Sequence, residues 1–171
     1  SKPMNIYADN AATTKLSPRA KDAMMPYFDE LFGNPSSLHT PGQLAKQALE
    51  SARERIAAAL GAAPAEIYFT SGGSEADVQA ITSAAKFGER KGKKHIISTA
   101  FEHHAVLHTL ENLEKQGFEV TLLPVHEDGV VRLEDMEEAL RPDTALVTVM
   151  FANNEIGTIQ PIREIGALCR E

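Results

Sequence analysis

The sequence contains a single cysteine, no tryptophan and no long apolar run. Because Cys169 has no second cysteine to pair with, an internal disulfide is excluded, and a reducing compartment is the simplest setting. No apolar run approaches the ~18 residues needed to span a bilayer, and the N-terminus lacks the apolar region of a signal peptide. We therefore expect a cytoplasmic protein without a membrane partner.

Positive charge is also scarce. The 171 residues include 17 Lys and Arg against 24 Asp and Glu, which gives a net charge of −7. An acidic surface of this kind argues against a nucleic acid as partner. Hydrophobic residues make up 43% and charged residues 24% of the chain, which is ordinary globular usage and excludes disorder, collagen and coiled coil.

The hydrophobic pattern alternates between helical periodicity and short β-rich runs, which predicts an α/β fold. Strands are predicted at 66–70, 95–99, 119–125 and 145–151. Helices are predicted at 18–32, 41–60, 74–90, 103–116, 133–140 and 161–171. Since helices or loops separate the strands, we expect a mostly parallel sheet with flanking helices. The pattern is that of part of a domain, because such a sheet normally continues with another strand.

A glycine-rich segment, FTSGGSEA, follows the first predicted strand and opens a helix. Glycines allow a tight turn, and the free N–H groups of a helix N-terminus attract anions. Ser74 would add a hydroxyl donor, so the segment is a candidate phosphate site. An ordinary strand-to-helix turn with a serine cap is the alternative, and the segment is neither GxGxxG nor GxxxxGK[ST].

A histidine cluster, EHHAVLH, follows the second predicted strand. An imidazole there can stack on a planar ligand, accept a proton or bind a metal. His104 and His108 are four residues apart and would share a helical face, as zinc ligands often do. No HExxH motif or third ligand accompanies them, which favours a structural pair over a metal site.

Three further polar segments are predicted to be loops. They are DNAATT, GNPSSLH and ANNEIGTIQPI, and the last follows the fourth predicted strand. Singly they are consistent with plain turns. Polar groups at the carboxyl ends of parallel strands nevertheless form the expected ligand site of an open α/β sheet.

Five segments, taken in order, resemble the first half of cysteine desulfurases of the NifS type, which are fold-type I pyridoxal-phosphate (PLP) enzymes. The matching segments are YADNAATT (7–14), FGNPSSLH (32–39), FTSGGSEAD (69–77), EHHAV (102–106) and NNEIGTIQPI (153–162). The resemblance implies that residues 1–40 hold the N-terminal helix and the substrate and dimer loops. Residues 41–171 would form the first part of the PLP-binding large domain, with the C-terminal half absent.

The resemblance also implies roles for individual residues. Gly73 and Ser74 would hold the cofactor phosphate, His103 would stack on the pyridine ring and act as a proton shuttle, and Asn154 would hydrogen-bond near the ring's 3-hydroxyl or the substrate. The family usually has threonine at the position of Ser74, so the hydroxyl is kept. Four loop residues would approach the substrate or the neighbouring subunit: Asn10, Ala11, Ala12 and Asn34.

Several decisive groups of the family have no match in this sequence. These are the aspartate that pairs with the pyridinium nitrogen, the glutamine that follows it, the Schiff-base lysine and the loop cysteine that accepts sulfur. Cys169 does not replace that cysteine, because its spacing from Ile162 and Ile165 predicts packing on the apolar face of the last helix. Without those groups we expect no activity from this chain alone.

The resemblance implies an enzyme that converts L-cysteine to L-alanine and transfers sulfur as a persulfide. Its expected partners are a second chain or C-terminal half, a second copy in a homodimer, and a sulfur acceptor such as an iron–sulfur scaffold protein. A selenocysteine lyase or an aminotransferase of the same class is the nearest alternative. A non-catalytic α/β domain that binds a metal through His104 and His108, or a partner, is a more distant one.

Overall fold

The computed structural model describes residues 3–170, so Ser1, Lys2 and Glu171, the last residue of the predicted final helix, lie outside it. The chain forms two compact units, the first ending at Phe69 and the second beginning at Thr70. The division into 1–40 and 41–171 implied by the resemblance stays a prediction.

The first unit is helical. Helix α1 spans Pro18–Met24, α2 spans Pro26–Asp29 and α3 spans Thr40–Leu60, followed by a 3-10 turn at Pro64–Glu66. The prediction of one helix over 18–32 is wrong, because Pro26 has no N–H to donate and interrupts the ladder after α1. The end of α3 is as predicted: Gly61 has a left-handed φ of 68°, which glycine adopts without steric cost.

The predicted strand at 66–70 does not form. The residues after the 3-10 turn have no strand partner within the described part of the chain, and Tyr68 is 75% exposed. The Arg53 side chain instead serves this segment: its guanidinium donates to the Ile67 carbonyl and lies 4.9 Å from the centre of the Phe69 ring. A β-rich sequence becomes a strand only where a neighbouring strand supplies the ladder.

The second unit contains a parallel sheet of three of the four predicted strands. Strand β1 spans His95–Thr99, β2 spans Glu119–Leu123 and β3 spans Thr144–Val147, in the order β2-β1-β3. Both outer strands are shorter than predicted because the chain leaves the ladder after Leu123 and Val147. The α/β class with a parallel sheet is therefore confirmed.

Helices cover both faces of this sheet. They are α4 (Gly73–Glu89), α5 (His104–Glu114), α6 (Leu133–Ala139) and α7 (Ile162–Leu168). Neighbouring residues of β1 belong to different cores: Ile96 packs with residues of α4 and α5, whereas Ile97 packs with residues of α6 and α7. All five residues of β1 are buried. Among the described residues, no helix is long and apolar enough to cross a membrane.

A buried histidine joins all three strands at the amino edge of the sheet. His95 is fully buried, with Nδ1 2.7 Å from Thr144 Oγ1 and Nε2 2.8 Å from Thr121 Oγ1. Burial lowers the pKa of His95 below its ordinary value of 6.5. The neutral ring can satisfy both hydroxyls, since one nitrogen donates and the other accepts.

Three charged groups also act on this histidine. Arg141 lowers the pKa of His95, whereas Asp143 and Glu119 raise it. Arg141 pairs with both carboxylates, at 2.6 Å from Glu119 and 2.7 Å from Asp143. Burial is the largest influence, so the folded protein favours the neutral ring.

The unfolded chain therefore binds more protons than the folded chain just below pH 6.5, and stability should fall as the pH is lowered through that value. Urea unfolding at about pH 7.5 and about pH 5.5 measures the change in the free energy of unfolding between the two pH values. The His95→Gln variant should lose stability less steeply than the parent, by at most about 1.4 kcal/mol per pH unit. His108→Gln, which changes a histidine with a 70% exposed side chain, is the matched control. Equal slopes for the parent and His95→Gln would contradict the assignment.

Candidate functional site

A cavity of about 540 Å³ lies at the carboxyl edge of the sheet. Its walls come from the segments that follow each strand: Ala100–His104 after β1, Val125 after β2, and Met150 with 153–156 after β3. Two predicted site residues, His103 and Asn154, both line it. The structure thus brings them together, as expected for segments that follow the carboxyl ends of parallel strands.

His103 caps helix α5. Its Nδ1 accepts a hydrogen bond from the Ala105 backbone N–H at 3.1 Å. Since Nδ1 is the acceptor, the neutral ring carries its proton on Nε2. The exposed ring can therefore present a face to a planar ligand in the cavity and an Nε2–H group that can donate a hydrogen bond.

Asn154 sits in a turn that its neighbour builds. Asn153 Oδ1 accepts from the backbone N–H groups of Glu155 at 2.8 Å and Ile156 at 3.0 Å, and its backbone N–H donates to Thr158 O at 3.0 Å. Both asparagines therefore line the cavity, and Asn153 in addition fixes the loop. The asparagine doublet indicated a turn, but which asparagine would build it could not be read from the sequence.

Gln160 anchors the other end of the ANNEIGTIQPI segment. It is 2% exposed, its Nε2 donates to Gly129 O at 2.9 Å, and its Oε1 accepts from the Val131 N–H at 2.9 Å. Gly129 has a φ of 72° and approaches Thr158 so closely that an added Cβ would lie 2.8 Å from Thr158 Cγ2. The loop with Asn154 is thus held at its base by buried contacts.

Helix α4 begins at Gly73, one residue earlier than predicted, with Gly72 as its cap. The first N–H groups of any α-helix lack intrahelical acceptors, and here they belong to Gly73 and Ser74. A Cβ added at Gly72 or Gly73 would meet no atom within 4 Å, so a ligand can reach the backbone of this turn.

Glu75 closes the turn in front of α4. The Ser71 hydroxyl donates to Glu75 Oε2, and the Ser71 backbone N–H donates to the same oxygen at 2.8 Å. These two bonds lower the pKa of Glu75, the hydroxyl bond having the larger effect. The Ser71 donors are therefore occupied, and the helix-end donors at Gly73 and Ser74 are those suited to an anion.

Glu102 is a site residue to which the sequence analysis gave no role. It is 8% exposed and lines the cavity directly before His103. Burial raises its pKa, as does the nearby Asp77 of α4, while hydrogen bonds from Thr99 and Met150 oppose the shift. The only sequence clue was an acidic residue three positions after the end of a fully buried strand.

The loop residues of the first unit lie in exposed turns. The Asn10–Ala12 turn is closed by bonds from the Ala12 and Thr13 N–H groups to Asp9 O, at 3.2 and 3.3 Å. Asn34 Oδ1 accepts from the Ser36 N–H at 2.9 Å. These contacts explain why the loops are polar, and the substrate roles of Asn10, Ala11, Ala12 and Asn34 stay predictions.

The remaining histidines and the cysteine were only partly anticipated. His104 and His108 are stacked with ring centres 6.1 Å apart, and within residues 3–170 no three His, Cys, Asp or Glu side chains group as metal ligands. The packing predicted for Cys169 is wrong, because α7 ends at Leu168 and Cys169, its C-cap residue, is exposed. Desolvation raises the pKa of the Cys169 thiol, which disfavours the nucleophilic thiolate.

Comparison with known proteins gives consistent matches. The aminotransferase class-V family model matches residues 6–171. Cysteine desulfurase IscS of Clostridium botulinum is 55% identical over 166 residues, which are 97% of this chain and 42% of the relative. The enzyme of the same name from Methanosarcina thermophila is 54% identical, over 97% of this chain and 41% of its own length.

Solved structures agree with the sequence matches. A NifS-like protein superimposes with a TM-score of 0.93 at 41% identity, over 98% of this chain and 46% of its own. SspA, solved in complex with cysteine, superimposes with a TM-score of 0.89 at 41% identity, over 96% of this chain and 47% of its own. The chain spans less than half the length of these proteins, and it belongs to the aminotransferase class-V family, within which it is similar to the cysteine desulfurases.

Proposed function

We propose that this chain supplies the cofactor-binding N-terminal part of a PLP-dependent cysteine desulfurase, which converts L-cysteine to L-alanine and passes the sulfur on as an enzyme persulfide. The observation that carries the proposal is the shared cavity of His103 and Asn154 at the carboxyl edge of the sheet. The similarity to cysteine desulfurases over 97% of the chain supports the same reaction.

The residues present fit PLP. A phosphate monoester requires several N–H donors and room for its oxygens, and the Gly73–Ser74 turn offers backbone donors, a hydroxyl and unobstructed space. A planar ring requires a flat partner and a polar group at its edge, and His103 and Asn154 provide these from one cavity. When bound, PLP supplies an electron sink that weakens bonds to the α-carbon of an amino acid.

Within this site, the chain's own residues bind, orient and move protons. Gly73 and Ser74 would fix the phosphate, and Asn154 would hydrogen-bond at the 3-hydroxyl or the substrate. In the resting ring, His103 carries its proton on Nε2 because its Nδ1 accepts from Ala105. To take a proton from the substrate at Nε2, the ring would have to carry its own proton on Nδ1 and give up the Ala105 hydrogen bond. Its position as helix cap fixes the ring's orientation before any ligand arrives.

The remaining catalytic groups, a lysine and a cysteine, would come from another part of the protein. Neither lysine nor cysteine is among the described residues that line the cavity. The lysine that holds the cofactor and the cysteine that accepts sulfur would come from a C-terminal part or a second chain, and we call the assembly with residues 1–171 the complete protein. We further propose that it is a cytoplasmic homodimer that passes sulfur to an acceptor such as an iron–sulfur scaffold protein.

Replacing Ser74 tests the phosphate assignment. Ser74→Ala removes one donor to a charged acceptor, which is worth about 1.5–3 kcal/mol. The PLP dissociation constant of the complete protein should therefore rise about tenfold or more. Fluorescence titration of the apo form measures it, with Ser83→Ala, an exposed serine farther along α4, as the matched control. An unchanged constant for Ser74→Ala would show that the phosphate binds elsewhere.

Replacing His103 tests the reaction itself. The complete protein loaded with PLP should form alanine from L-cysteine, and His103→Asn should slow turnover by about 10²–10⁴-fold because it removes the proton carrier. Asparagine is a strong N-cap residue, so α5 should remain intact by circular dichroism. His108→Asn, on an exposed face of α5, should retain parent turnover.

Three results would count against the proposal. Full turnover by His103→Asn would remove the proton-shuttle role. The absence of alanine from the parent complete protein with PLP and L-cysteine would contradict the desulfurase function, and turnover of selenocysteine alone would reassign it to a lyase.

A further inference from the structure

Glu102 is a buried carboxylate at the junction of two strands. Thr99, the last residue of β1, donates its hydroxyl to Glu102 Oε1 at 2.7 Å. The Met150 backbone N–H, just beyond β3, donates to the same oxygen at 2.8 Å. One oxygen atom therefore joins the carboxyl ends of two neighbouring strands.

The two segments joined in this way carry the cavity's ligand-facing residues. Glu102 directly precedes His103, and Met150 precedes the Asn153–Asn154 turn by three residues. A second, longer contact connects the same segments, since Asn153 Nδ2 donates to Phe101 O at 3.4 Å. The separation of His103 and Asn154 across the cavity thus depends on two contacts, one made by Glu102 and one made by Asn153.

Burying a carboxylate at position 102 costs free energy. Removing a charged group from water is unfavourable, and Asp77 of α4 adds a second negative charge nearby. An apolar residue could fill the volume without that cost but would leave the Met150 N–H and the Thr99 hydroxyl without this acceptor. Buried polar groups whose bonds are all satisfied hold one local arrangement more rigidly than apolar packing does.

We propose that Glu102 is a positioning residue, which holds the His103 turn and the Met150–Asn154 segment at the spacing that a planar cofactor requires. This role rests on the proposed function, because the cavity must bind PLP for the spacing to matter. Glu102 itself acts only through its two neighbours and is not assigned a proton transfer.

The test uses the complete protein with Glu102→Ala. The PLP dissociation constant should rise about tenfold, the equivalent of losing one bond to a charged acceptor. Hydrogen–deuterium exchange should also accelerate in peptides covering 148–156, because the Met150 N–H loses its acceptor. Glu102→Gln, which keeps the accepting oxygen, should restore both values to within about threefold of the parent.

The control His95→Gln alters the other buried side chain that joins β1 to β3, at the opposite edge of the sheet. It should reduce stability while leaving PLP affinity and exchange at 148–156 unchanged. Thr99→Val, which removes one of the two donors at nearly constant volume, gives a milder perturbation should Glu102→Ala not fold, and it should weaken PLP binding about threefold.

The outcomes separate the two proposals. Folded Glu102→Ala, or Thr99→Val in its place, with parent PLP affinity and parent exchange at 148–156 would overturn the positioning role. Equal loss of PLP affinity in His95→Gln would overturn it as well, because the effect would then reflect general stability. Failure of the parent to bind PLP contradicts the proposed function, and the exchange at 148–156 still decides whether Glu102 holds the segment.

Discussion

The burial of strand β1 on both faces is the constraint on which the second unit depends. Ile96 and Ile97 point into separate cores, so the strand cannot shift by one residue without exchanging the two environments. This fixes where β1 ends and therefore where Glu102 and His103 begin. Because β3 is parallel to β1, the segment that carries Asn154 emerges at the same edge. A ligand cavity at that edge follows from the topology before any particular side chain is considered.

Buried polar groups add hydrogen bonds between the strands at both edges of the sheet. At the amino edge, a neutral His95 joins β1 to both neighbours through threonine hydroxyls. At the carboxyl edge, Glu102 joins β1 to β3. Burial disfavours the charged form of each, lowering the pKa of the histidine and raising that of the carboxyl. The sheet therefore has a polar tie at each end, and only the one at the carboxyl edge lies beside the candidate site.

Local rules predicted the features that depend on neighbouring residues in sequence. The start of the first helix at Pro18 and the end of α3 at Leu60 are of this kind. The alternation of helices and strands along the chain predicted the parallel sheet and, with it, the meeting of His103 and Asn154 at one edge. The predictions failed where residues that are distant in the sequence determine the local structure. The 66–70 segment needed a strand partner, and the role of Glu102 depended on Met150, 48 residues away. Cys169 was misplaced because the periodicity extends beyond the point where α7 ends.

We propose that these residues form the cofactor-binding part of a larger desulfurase. Native and denaturing mass spectrometry of the gently purified protein tests it most directly. We expect residues 1–171 to occur together with a further polypeptide segment, either in one longer chain or as a second chain beside an 18.6 kDa species, and we expect the native mass to include PLP. A lone 18.6 kDa species that carries no PLP and binds none when it is supplied would contradict the account.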